Sequence, residues 1–391
     1  CSALFERVRL MFFGNLRQDW SEFVMQELGH QHYEEVPFSP ESRAFQLRDD
    51  VDRYLHLASC REALEAGVDP ETVYPLIPLE EWSNPWLAER RDRLLYALGH
   101  LAERGGQLEF ALQVYARSAY SDALVRSLRV LERLQDYSGA YPLLSRGLEK
   151  PQSAAQRVSL ERIQKRLCKK LDLPAPPARP LFEIPLMELK VPAQAGLSVE
   201  DAAAHALAEP GQPVYYVENW LFNGLFALLC WPALYAPLRG AFFHPFHARP
   251  ADLYREGFVE RRQALFDECL SQLDDDGYRD RIRDTWRRKQ GVSCAFMHWE
   301  ILHEDILELA LACIPPQHLR LIFGRMLEDL RGHRSGLPDL VQFTPEEERY
   351  TLIEVKGPGD RLQDNQQRWF QFFLEHEVPA ALCKLNWEEP R

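Results

Sequence analysis

Two short β-forming runs constrain this chain more than anything else in it. Asp339-Leu-Val-Gln-Phe343 and Tyr350-Thr-Leu-Ile-Glu-Val-Lys356 are rich in β-branched and aromatic residues. A turn-forming stretch separates them, and Gly357-Pro-Gly359 stops the second. The pair reads as an antiparallel hairpin. Side chains alternate across a strand, so Glu354 and Lys356 share one face and Val355 takes the other. Asp339 opens the first run, so pairing brings a carboxylate from each strand towards one lysine. A helix predicted from about Asp364 to Glu377 and a strand from Ala380 to Trp387 follow, giving an α/β order with its sheet at the end.

The rest of the 391 residues reads as helical. In the first stretch Leu4, Phe5, Val8, Met11 and Phe12 line one apolar face, and Trp20, Phe23, Val24 and Leu28 line another. A helix is expected from Arg48 to Ala66, then a proline-broken connector from Pro70 to Pro85. Between 86 and 148, Leu95, Leu108, Ala111, Leu112 and Tyr115 are echoed by Leu124, Tyr137, Ala140, Tyr141 and Leu144. This weak repeat resembles tetratricopeptide helix pairs, which bind proteins or serve as scaffold. Residues 144–170 read as one charged helix with eight bases against two acids, before the proline-rich linker 174–180. A helix is expected from near Tyr216 to Pro232, and 240–330 as a long helical insert. Three regions result: an N-terminal helical region, 1–85; tetratricopeptide-like helices and linker, 86–180; and a C-terminal α/β domain, 181–391.

A net charge of −13 argues against a uniformly basic nucleic-acid binder but leaves room for local basic faces. The longest apolar run, Gly224 to Leu238, is shorter than a membrane span and is interrupted by Pro232 and Pro237. Eight cysteines form no C-x-x-C pair and read as reduced core thiols. His303-Glu304 lacks the second histidine of a zinc helix, His244 and His247 lack companion cysteines, and Asp274-Asp-Asp-Gly277 lacks the later glutamate of a calcium loop. The chain opens on Cys1 rather than methionine, so its natural N-terminus is expected upstream.

The chemistry lies in the hairpin. Two carboxylates sharing a site repel unless a cation joins them, and Mg²⁺ or Mn²⁺, one or two per site, suits oxygen ligands. Such an ion polarises a phosphoryl oxygen and helps make hydroxide from water. Lys356 would orient that water and stabilise developing negative charge. The bare pattern Pro-Asp…Glu-x-Lys also fits a surface hairpin with an ordinary salt bridge, and its surroundings separate the two readings. Gly336-Leu-Pro-Asp339-Leu-Val-x-Phe, then Leu352-Ile-Glu354-Val-Lys356-Gly-Pro-Gly-Asp360-Arg-Leu-x-x-x-Gln366, closely resembles the VRR-NUC domain of the PD-(D/E)xK nucleases, in particular the Fanconi-associated nuclease family.

That resemblance implies a mixed sheet flanked by helices, with a mostly helical remainder whose N-terminal region, 1–85, binds DNA. It implies a metal-dependent nuclease that cuts 5′ flaps and branched DNA, has 5′-to-3′ exonuclease activity and serves interstrand crosslink repair. Glu218-Asn-Trp-Leu-Phe-Asn-Gly resembles the family helix that supplies the first acidic ligand. From the residues alone, Glu218 falls one turn before Leu221 on the face marked by Leu221, Leu225, Leu228 and Leu229, as a ligand or a first-turn acid on the helix dipole. The metal is expected among Glu218, Asp339, Glu354 and the Val355 carbonyl, with Lys356 catalytic. Gln366 matches a family glutamine that supports the site, and Arg331 a basic family position. Where eukaryotic members often carry lysine, this chain has Asn365. Candidate phosphate contacts are Lys165, Arg166, Lys169, Lys170, Arg287, Arg288, Lys289, Arg331 and Arg334. A monomer with one site is expected, because the insert alters the geometry of the dimeric resolvases that stand-alone domains of this class resemble. A dimeric Holliday-junction resolvase and a non-catalytic tetratricopeptide-like adaptor are the alternatives. Only eight of 46 basic residues are lysine, which points to a GC-rich bacterium; the resemblance to DNA-repair nucleases then implies a cytoplasmic, nucleoid-associated protein, or a nuclear one in a eukaryote.

Overall fold

The computed structural model describes residues 2–37, 39–151, 153–177, 183–192, 196–255 and 257–388. Two compact units divide the chain: Cys1–Asp19 with Arg43–Arg179, and Trp20–Ser42 with Pro180–Arg391. Residues 20–42 therefore leave the N-terminal region to which the sequence assigns them. The reason is aromatic: Phe23 and Tyr33 both pack edge-on against Phe246, and Ser293 N–H donates to the His32 carbonyl.

The first unit is helical. Its helices are α1 (Ser2–Phe13), then, past α2 (Ser21–Glu27) of the second unit, α3 (Arg48–Glu65), α4 (Pro70–Val73), α5 (Pro85–Arg104), α6 (Leu108–Tyr115), α7 (Ser121–Arg133), α8 (Tyr137–Glu149) and α9 (Ala154–Lys170). Local chemistry sets their starts. Asn84 caps α5 by accepting from Trp86 N–H with Pro85 at the first helical position, and Asp136 caps α8 through Gly139 N–H. The expected single helix 144–170 is two. Pro151 and the cap Ser153, which accepts from Gln156 N–H, start α9 afresh. The expected connector 70–85 contains the short α4 and a 3₁₀ turn, Tyr74–Leu76. The predicted apolar face of α1 also differs from the one used. Leu10 and Phe13 are fully buried, whereas Leu4, Phe5, Val8 and Met11 are about half exposed or more, as are Val24 on α2 and Leu28 just after it.

One buried acid ties the helix pairs together. Glu103 of α5 is 4% exposed and accepts from Arg126 Nε and Nη2 of α7 at 2.9 and 2.6 Å, from Tyr115 Oη of α6 at 2.9 Å, and from Arg133 at 3.3 Å. Burial pushes its carboxyl up, but the donors from Arg126 and Tyr115 and the arginine charges outweigh that and hold it below the usual carboxylate range.

The second unit holds a five-stranded mixed sheet in the order β1-β5-β4-β3-β2. Its elements are β1 (Leu186–Pro192), α10 (Val199–Leu207), β2 (Val214–Tyr216), α11 (Trp220–Leu234), α12 (Gln263–Ser271), α13 (Gly277–Arg288), α14 (Glu304–Cys313), α15 (Pro316–Glu328), β3 (Leu340–Thr344), β4 (Arg349–Lys356), α16 (Asp364–Glu375) and β5 (Ala380–Glu388). The sheet is thus not confined to the end of the chain. β1 pairs parallel with β5 and β2 antiparallel with β3, both contributed before the helical insert. β4 pairs antiparallel with β3 and parallel with β5, which places it at the centre.

Strand alternation splits the core into two layers. Leu340, Ile353, Val355, Cys383 and Leu385 pack with Ala202 and Ala203 of α10. Val341, Phe343, Tyr350 and Leu352 face the opposite side, in the cluster that holds α11 and Trp369, Phe370 and Phe373 of α16. Every residue of α11 from Leu221 to Leu234 except Pro232 is buried, so this helix has no single core face. It also runs through Pro232, with its kink at Cys230, where φ is −95° and ψ is 16°. No single helix among the described residues is long and apolar enough to cross a membrane.

Candidate active site

The β3–β4 register sets Leu340 opposite Ile353, and one further step sets Asp339 against Glu354. Alternation then sends Glu354 and Lys356 to the α16 side of the sheet. Asp339 Oδ2 accepts from Val355 N–H at 3.0 Å, which locks the acid across the end of the hairpin.

Glu354 is fully buried. Its Oε1 accepts from Lys356 Nζ at 2.5 Å and from Gln366 Nε2. Its Oε2 is buried with no hydrogen-bond partner. Burial pushes this carboxyl up to about 8, the Asp339 charge adds to the rise, and Lys356 opposes it. Asp339 is also raised, first by burial. Val355 N–H and Lys356 pull it down, while the charges of Glu200 and Glu218 push it up. Gln366 reaches the site because its other end is fixed. It is the third residue of α16, and its Oε1 accepts from Gln363 N–H in a capping box. Gly336, at φ +87°, passes so close to α16 that a Cβ there would lie 2.8 Å from the Asn365 carbonyl carbon. Asn365 therefore packs beneath the loop that leads to Asp339.

Glu218 is not on the helix the sequence assigns it to. The chain leaves β2 at Tyr216, and Glu218 sits in the turn before the cap Asn219, at φ +39°. A positive φ at a glutamate costs about 1 kcal/mol or more and persists only where its surroundings fix it. Here Val217 and Glu218 N–H both donate to the Asp339 carbonyl, at 2.8 and 2.9 Å. The Glu218 carboxylate accepts from Tyr216 Oη at 2.9 Å and from Asn219 Nδ2 at 3.0 Å. Asn219 Oδ1 accepts in turn from Leu337 N–H at 3.1 Å. Tyr216, Asn219 and Glu200 escape a reading of the sequence alone. The only signal is that a phenol and an amide flank Glu218 within two residues.

Among the described residues, no three acidic, histidine or cysteine side chains close on one point. What the site brings together is the Asp339–Glu354 pair with Lys356 and Gln366. A buried carboxylate oxygen without a donor, beside a second carboxylate, is costly unless a proton or cation offsets it. The donors are hard oxygens, so the residues fit a divalent metal.

The expected phosphate contacts fare unevenly. Lys165, Arg166, Lys169 and Lys170 are exposed on α9, although Arg166 is bonded to Glu132 at 2.7 Å. Arg287 is exposed, Arg288 pairs with Asp284 at 2.8 Å, and Lys289 pairs with Glu34 at 2.6 Å. Arg331 is exposed. Arg334 is turned inward: it donates to Tyr254 Oη and, at 2.8 Å, to the Ala295 carbonyl, and lies over the Phe296 ring. Its guanidinium is committed to the fold.

The VRR-NUC domain model matches residues 274–387. Over 389 residues the chain is 48% identical to the Fanconi-associated nuclease 1 homolog of Pseudomonas aeruginosa, covering 99% of this chain and 69% of that protein. This chain belongs to the Fanconi-associated nuclease 1 family. The Danio rerio member is 34% identical over 195 residues, 48% of this chain and 20% of its own length. A crystal structure of paFAN1 bound to 2nt 5′ flap DNA with gap superposes with a TM-score of 0.95 at 47% identity, over 100% of this chain and 72% of that one. A second, with a 1nt 5′ flap, gives 0.92. The chain is accordingly a nuclease of the PD-(D/E)xK type, a hydrolase that uses a divalent metal.

Proposed function

We propose that this chain is a structure-specific DNA endonuclease that cuts 5′ flaps and related branched DNA, with 5′-to-3′ exonuclease action, in interstrand crosslink repair. The observation that carries the reading is Glu354: fully buried, with one oxygen held by Lys356 and Gln366 and the other without a partner beside Asp339. A fold would not keep an acid in that state for stability alone. The similarity to flap-bound paFAN1 supports the choice of DNA substrate.

Asp339, Glu354, the Val355 carbonyl and Glu218 would hold Mg²⁺ or Mn²⁺. The ion would lower the pKa of bound water and polarise the scissile phosphoryl oxygen. Lys356, 14% exposed and in contact with Glu354, keeps its ammonium beside the reacting phosphate, where it offsets charge developing on the phosphoryl oxygens. Gln366 fixes the Glu354 carboxylate so that its free oxygen keeps one orientation. Of the candidate bases, exposed Lys165, Lys169, Lys170, Arg287 and Arg331 remain available for duplex phosphates, and such contacts position DNA without reading its sequence. The protein would work as a monomer with one site, at the bacterial nucleoid.

The test is cleavage with Mn²⁺ of 5′-flap, four-way-junction and linear duplex substrates. Single incisions near the flap base are expected. Paired symmetrical nicks in the junction would identify a resolvase, and no cutting of any substrate would identify an adaptor.

A further inference from the structure

Glu218 reaches its position through a strained turn, and two neighbours hold its carboxylate. Tyr216 Oη donates to one oxygen and Asn219 Nδ2 to the other. Asn219 also accepts from Leu337 N–H, two residues before Asp339, and the Asp339 carbonyl takes both the Val217 and Glu218 N–H. One small network therefore links the turn that carries Glu218 to the loop that carries Asp339. The phenol sits on an exposed ring, 41% accessible at the end of the edge strand β2, where packing has no use for its hydroxyl. Among the described residues its one hydrogen bond is to Glu218.

We infer that Tyr216 and Asn219 are positioning residues that orient the Glu218 carboxylate for a divalent metal. A carboxylate on an open turn can rotate about its side-chain bonds, and freezing it costs affinity when the cation arrives. Two donors, one on each oxygen, remove that freedom beforehand. Each oxygen keeps a lone pair for the ion, because an ionised carboxylate offers about four acceptor sites. Donors that hold a ligating carboxylate act as supporting partners of a metal ligand, and losing such a partner costs about 10- to 100-fold in affinity. Asn219 adds a second effect. By gripping Leu337 N–H with its oxygen and Glu218 with its nitrogen, it holds the two acidic segments at one separation.

This inference rests on Glu218 being a metal ligand, and the experiment keeps the two apart. Mn²⁺ binding to the DNA-free protein is measured by titration calorimetry, with thermal unfolding of each metal-free variant alongside. Glu218→Gln reports on the ligand. Tyr216→Phe removes one exposed oxygen and leaves the fold intact. Asn219→Ala removes both halves of the bridge. The expected result is weaker Mn²⁺ binding, by about tenfold for Tyr216→Phe and more for Asn219→Ala, with an unchanged melting temperature for Tyr216→Phe. In cleavage assays the metal concentration for half-maximal rate should rise in parallel, while the rate at saturating Mn²⁺ returns close to wild type. Weak binding in Glu218→Gln together with equal or tighter binding in Tyr216→Phe overturns the inference and leaves Glu218 a ligand. Unchanged binding in Glu218→Gln overturns both.

Discussion

Glu103 and Glu354 are the same residue under nearly the same burial, and the protein treats them oppositely. Glu103 has two arginines and a tyrosine, and both its oxygens are occupied. Its carboxyl is held low, and it joins three helices. Glu354 has one lysine and one glutamine on a single oxygen, a second acid for a neighbour, and a carboxyl pushed up to about 8. One acid is fully compensated inside the fold. The other is compensated only in part, and the shortfall is what the proposed cation would offset. A buried acid is thus read by its unmet valence rather than by its depth.

Removing the cationic partner on each side probes this contrast most sharply. Lys356→Ala should reduce cleavage by ~10²-fold or more while DNA affinity, measured by fluorescence anisotropy, stays near wild type. Its unfolding midpoint should move little at neutral pH, because Glu354, raised to about 8, is already mostly protonated and losing the ammonium strands no full charge. Arg126→Ala should do the reverse. It leaves Glu103 buried with Arg133 and Tyr115 only, and should cost about 2 kcal/mol or more in urea unfolding, with the cleavage rate per folded molecule intact. If Arg126→Ala is as stable as wild type, Glu103 is not the structural counterpart described above.

A smaller effect should come from neutralising the unmet acid itself. Folded Glu354 keeps its proton up to about 8, while its ordinary value is 4.5. Between these values the folded state binds more protons than the unfolded one, so this group lowers stability as pH rises. Glu354→Gln has no such proton to lose. In metal-free buffer it should melt above wild type by about 1 kcal/mol at neutral pH, with the gain growing towards pH 8 and fading towards pH 5. Excess Mn²⁺ should cancel the difference by stabilising wild type alone.

The hairpin was legible because alternation and turn chemistry are local. Asp339, Glu354 and Lys356 meet as their spacing demands, and α16 and β5 lie within a residue or two of their expected bounds. β2 was lost because three residues give no periodicity, and β1 because it borders a proline-rich stretch and finds its partner only in β5. Glu218 was misplaced for a physical reason: nothing in a glutamate announces a positive φ, and the helix begins two residues later, at Trp220. The inward turn of Arg334 and the pairing of Lys289 were equally hidden. Their partners, Tyr254, Ala295 and Glu34, lie far away in sequence. The role of α1 was misread because four exposed apolar side chains outnumber the two that enter the core.

The place of β4 in the sheet has a consequence for how the protein comes into being. β4 has β3 on one side from early on, but its other neighbour, β5, is made last of the five strands, and β5 also carries β1. Leu186 must wait for Leu382, about two hundred residues downstream, and pairings so distant are slow to form. Until then Glu354 lies on an unpaired edge that water can reach, where a carboxylate ionises normally and grips nothing. The burial that makes this acid useful therefore waits on a pairing that spans most of the second unit. A chain whose β5 has not yet docked carries Asp339, Glu354, Lys356 and Gln366 without the burial that raises Glu354, so closing the sheet and arming the site are one event.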